Sequence, residues 1–94
     1  MSTKELIAVK TAEIDEQIRY RGLKQWWIAQ TLTKKVHDPE LPNDKQLVIT
    51  ESGFTKRKKG KMAFEDKLVG PLAEILGVSP DWIRDKFALD DNHN

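Results

Sequence analysis

The chain contains no cysteine. Disulfide staples, zinc–thiolate sites and cysteine nucleophiles are excluded by that alone, and the composition suits a reducing compartment. Histidine is nearly as scarce: His37 and His93 are the two present, with no matched ligand spacing, so no metal site is expected. No apolar run approaches the ~20 residues that a helix needs to cross a bilayer. The opening MSTKELIAVK also lacks the apolar stretch of a signal peptide. These absences predict a soluble cytoplasmic protein with no membrane partner. Catalytic patterns are missing as well. No Ser/His/Asp arrangement or phosphate-cradling glycine pattern is visible, and the paired acids Asp15-Glu16, Glu65-Asp66 and Asp90-Asp91 are adjacent, so on a helix they diverge. The expectation is a non-enzyme, without catalytic residues, cofactor or small-molecule substrate.

What is present is 94 residues, 38% hydrophobic and 33% charged. That length supports one domain around a single small core. Residues 1–89 are expected to form it, with 90–94 as a flexible C-terminal tail. The formal net charge is only +1, yet Lys56, Arg57, Lys58, Lys59 and Lys61 crowd into six positions. Without them eleven cations face fifteen acids, so the basic character is local, as a face for a polyanion requires.

Periodicity predicts five helices. Leu6, Ile7, Val9, Ile14 and Ile18 recur at roughly helical spacing over 3–20, with Thr3 able to cap and Gly22 closing. Leu23, Trp26, Trp27, Ala29 and Leu32 mark an amphipathic helix over 23–34. The three tryptophans, Trp82 included, fall at apolar helical positions and read as core and rim; one of the adjacent pair has to point partly outward, where it could serve a dimer. VHDPELP at 36–42 is a loop, because each proline forces its predecessor out of helical dihedrals. Asn43 and Gln46 then form a capping box for a short helix over 43–50, stopped by Gly53, although Leu47-Val48-Ile49 is an apolar run with two β-branched residues that could equally be a strand. The cations after it read as a basic loop. A fourth helix spans 64–76, kinked at Gly70-Pro71 or starting near Pro71, and ends at Gly77. Ser79-Pro80 opens a fifth over 81–88, with Trp82, Ile83 and Phe87 inward. The fold class predicted is compact and all-α.

Three segments carry a resemblance to a known family. GLKQWWIAQTL at 22–32, NDKQLVITESG at 43–53 and LAEILGVSPDWI at 72–83 together resemble the lambda-repressor-like (Cro/Xre-type) helix-turn-helix proteins, over residues 14–83. The resemblance implies a five-helix DNA-binding domain with an extended turn, TKKVHDPELP, between helices two and three. It implies a recognition helix capped by Asn43, with Asp44, Lys45 and Gln46 at base edges and Ile49 one turn on. It also implies Gln25 on a phosphate and a clamp of Thr55, Lys56, Arg57, Lys58, Lys59 and Lys61 along the backbone. The family's arginine near the end of helix one, partner of the glutamate at Glu51, is replaced by Ile18, with Arg19 beside it. The function implied is a sequence-specific transcriptional regulator, a small repressor of phage or mobile-element type, binding the major groove of duplex DNA as a homodimer that meets through helix five and the tail. The long turn and the apolar pair Val48-Ile49 support an alternative, a protein-interaction module on the same scaffold, such as an antirepressor or an inhibitor of a nucleic-acid-handling complex.

Overall fold

The structure, a computed structural model, describes residues 2–89. Among the described residues the chain is all-helical, with α1 at Thr3–Tyr20, α2 at Gln25–Lys35, α3 at Glu51–Lys58, α4 at Val69–Leu76 and α5 at Pro80–Lys86. The tail expected at 90–94 lies outside them.

α1 begins where periodicity placed it, but Ser2 rather than Thr3 is its cap, accepting from the Glu5 amide at 3.2 Å. Only Ile14 and Ile18 of this helix are buried. Its first three turns overhang the core, leaving Leu6, Ile7 and Val9 exposed. α2 turns Ile28, Ala29 and Leu32 inward and packs on α3 and α4. Gly70 and Pro71 fall in the first turn of α4, where an amide has no helical partner to lose, so the proline neither kinks nor breaks it. A 3₁₀ turn, Asp66–Leu68, leads in, and the segment expected as helix from residue 64 is instead extended at Phe64, whose amide donates to Ala88 at 2.7 Å. Ser79 caps α5 through the Trp82 amide at 3.1 Å. Phe87 closes the core, its ring centroid 4.4 Å from that of Phe64 and 6.3 Å from that of Phe54.

The main departure from expectation lies between residues 43 and 61. Asn43–Lys45 makes a single 3₁₀ turn, and the chain runs extended to Thr50. The capping box does not form, because Gln46 bonds elsewhere and the branched residues that follow favour extended backbone. Thr50 is the cap that matters: its hydroxyl accepts from the Gly53 amide at 2.9 Å and starts α3. Gly53 is therefore in the first turn of a helix and not its stop. A Cβ at Gly53 would lie 3.0 Å from Arg57 Nη1 and 3.1 Å from Thr50 Oγ1, so glycine makes room for the guanidinium one turn on. The stop is Gly60, at φ 74°. Its amide donates to Arg57 O at 3.2 Å and the Lys61 amide to Lys56 O at 2.8 Å, a pair of bonds that closes a helix through a left-handed residue. The first three cations of the expected basic loop are thus in a helix, with Lys59 at its end and Lys61 beyond it.

Candidate nucleic-acid interface

α3 is amphipathic in an unusual way, since its inward face includes two cations. Phe54 fills the core. Arg57, 6% exposed, donates from Nε and Nη2 to the two carboxylate oxygens of Glu65, both at 2.8 Å. This fork holds the Glu65 carboxyl below its usual range, chiefly through the Arg57 hydrogen bonds. Lys58, 8% exposed, donates to Asp15 Oδ1 of α1 at 2.6 Å and to Gln25 Oε1 of α2. Gln25 in turn donates to Thr55 Oγ1 at 3.3 Å. Lys58 therefore joins three helices, and the amide of Gln25 is engaged within the fold.

The outward face of α3 carries Glu51, Ser52 and Lys56, with Thr55 half-buried beside them and Lys59 following at the helix end. Lys61 stands exposed just beyond Gly60. Three of the five crowded cations, Lys56, Lys59 and Lys61, are thus presented to solvent on one helix and its exit. Helix α1 borders this end: Thr11 Oγ1 donates to Lys58 O at 3.0 Å, and Ile7 lies over Gly60.

The residues expected to form a recognition helix are placed differently. Asn43, Asp44 and Lys45 are exposed on the 3₁₀ turn, outside any α-helix. Gln46 folds back onto the preceding loop: its Oε1 accepts from the Asp38 amide at 2.9 Å and its Nε2 donates to Asp38 O at 2.5 Å and Leu41 O at 2.9 Å. Ile49 is 3% exposed and belongs to the core, its amide held by Thr33 Oγ1 at 2.9 Å. It has no side chain to offer a groove. Of the expected clamp, Arg57 and Lys58 are internal struts. Ser52 on α3 was not anticipated, because the outward stripe of a helix has meaning only once the helix is located. The charged link between α1 and α3 is Asp15–Lys58; Glu51 is exposed and Ile18 is core.

The tryptophans are also placed differently from expectation. Trp26 and Trp27 are exposed, at 50% and 40%, and only Trp82 packs at the rim, with Lys86 Nζ 5.6 Å from its ring centroid. Exposed α5 residues such as Asp81, Arg84 and Asp85 are charged. Among the described residues no group of three or more potential ligands that could hold a metal is present, and no helix is long and apolar enough to cross a membrane. Comparison with family models, with curated proteins and with solved structures found no match to this chain.

Chemically, the exposed face of α3 offers hydroxyl donors at Ser52 and Thr55 and ammonium donors at Lys56 and Lys59 on a rigid backbone. Such a face suits a ligand with regularly spaced negative charge and hydrogen-bonding edges between the charges.

Proposed function

We propose that the protein binds duplex DNA by laying α3 in the major groove, as a lambda-repressor-like helix-turn-helix regulator whose reading helix is Glu51–Lys58 and not residues 43–50. The supporting observation is the division of α3 into an inward face locked by Phe54, Arg57 and Lys58 and an outward face of Ser52, Thr55 and Lys56 that continues to Lys59 at the helix end, with Glu51 the acid at its start. In this reading Ser52, Thr55 and Lys56 meet base edges, while Lys59 and Lys61 meet phosphates. The resemblance in sequence extends the proposal to a small repressor of phage or mobile-element type, acting on promoter DNA as a dimer over two half-sites about one helical turn apart.

The test is DNA affinity against salt for selected and random duplexes. Lys59→Ala and Lys61→Ala should weaken all sequences alike and each lower the salt slope by about one unit. Ser52→Ala and Lys56→Ala should narrow the gap between selected and random sites, each good contact being worth about 1–3 kcal/mol of discrimination. Failure to select any site, with random binding unchanged in these variants, overturns the proposal.

A second reading is favoured by one observation. The 36–50 segment is ordered by Gln46 and Thr33 yet presents Leu41 and Val48, the latter 61% exposed, among Asp38, Glu40 and Asp44. An acidic, partly apolar loop repels phosphate and suits a protein partner.

A further inference from the structure

Adjacent tryptophans on the first turn of α2 leave about half of their surface in solvent, and indoles are the side chains with most to gain from a contact. Their directions differ. Trp26 precedes Thr33 by two helical turns, so the two share a stripe. Thr33 holds the Ile49 amide at 2.9 Å, in the segment that enters α3. Gln25, the neighbour of Trp26, reaches α3 itself through Thr55. Trp26 consequently stands on the flank of α2 that borders α3, while Trp27 lies about 100° further round, away from it. Charge points the same way. From Arg19 to Trp27 the chain carries Arg19, Arg21 and Lys24 and no acid, and all three cations are exposed.

We propose that Trp26 is a DNA-contact residue, its indole face resting on a deoxyribose and its Nε1–H donating to a phosphate at the rim of the groove that α3 enters. This rests on the duplex-binding proposal above. The contact is to backbone and not to bases because α2 packs alongside α3, so a duplex with α3 in its groove meets α2 at the rim. The segment leading into Trp26, with Arg19 and Lys24 exposed and no acid between them, favours a polyanion over a protein surface of mixed charge. Trp26 positions the duplex and carries no base readout.

The experiment uses two single-tryptophan forms of the full chain, Trp27→Phe/Trp82→Phe and Trp26→Phe/Trp82→Phe, each checked for wild-type circular dichroism. Each is titrated at low salt with a short random-sequence duplex and with one of its single strands, following both indole emission and the anisotropy of end-labelled DNA. Emission from Trp26 should change in step with anisotropy while emission from Trp27 does not, and Trp26→Ala should weaken duplex binding about five- to tenfold, in line with the apolar area lost. Duplex binding with silent Trp26 emission overturns the proposal and leaves the role of α3 intact. A Trp26 signal that depends on protein concentration without DNA assigns the residue to a contact between copies, and a larger signal with single strand than duplex assigns it to an unpaired base; either overturns it. Absence of any anisotropy change in the wild-type chain removes the duplex-binding proposal and this one together.

Discussion

Two neighbouring cations with the same formal charge as Lys56 and Lys59 have the opposite assignment. Arg57 and Lys58 are desolvated and spend their charge on Glu65 and Asp15, so their removal damages the fold before it affects any ligand. Arg57→Ala should destabilise by about 2–3 kcal/mol, below the full cost of opening a buried pair because Glu65 retains some solvent. Lys56→Ala should stay within about 0.5 kcal/mol, as surface changes do. Urea unfolding of the two variants checks both values. The fork also sets an acid limit. The folded-state pKa of Glu65 is lowered from its ordinary value of 4.5, so the unfolded chain binds the extra proton, and the stability from this group is present above that value and lost as pH falls below it. Melting temperature followed downward from pH 6 should decline more steeply in the wild type than in Glu65→Gln, which lacks the titrating group. None of this was readable from the run of cations alone. Asp15 lies far from Lys58 in sequence, and nothing local marks which member of a basic run will find a distant acid.

Helix ends were readable where a single capping residue ahead of an amphipathic run, or a single glycine behind one, has no rival nearby. α5, opened by Ser79-Pro80, and the closure of α1 at Gly22 show this, the latter with the Leu23 amide donating to Ile18 O at 3.1 Å. In the α3 region the expected cap and stop were Asn43 and Gly53, whereas Thr50 and Gly60 bound the helix that forms. What decides is tertiary: Ile49 and Phe54 both fall into the core only if the helix begins after Ile49. Thr50→Ala should accordingly cost about 1 kcal/mol through loss of the cap. Gly60→Ala should cost a similar amount, about 1 kcal/mol, by forcing a side chain into the left-handed region. Asn43→Ala, with no capping bond to lose, should leave α3 unaffected, and thermal melts of the three variants discriminate this helix from one placed at 43–50.

At the level of the whole molecule, α3 is held from several directions: by α1 through Asp15 and Thr11, by α2 through Gln25, and by Glu65 in the segment that leads on to α4. An element tied at so many points transmits force to its neighbours and has little freedom to adjust to a ligand. Ligand binding should therefore leave the α3 backbone where it is. Amide exchange should show Phe54–Lys58 among the slowest protons in the chain, with little further slowing when DNA is added, and marked new protection there would count against a preformed face.

The partition of α3 has a consequence for how such a chain changes over generations. Positions 52, 55, 56 and 59 face out, whereas 53, 54, 57 and 58 hold the helix in place. A library randomised at the first four should yield mostly folded proteins with altered ligand preference, and one randomised at the second four should yield few folded proteins of any preference. New specificity is thus reachable through single substitutions that selection for folding does not oppose.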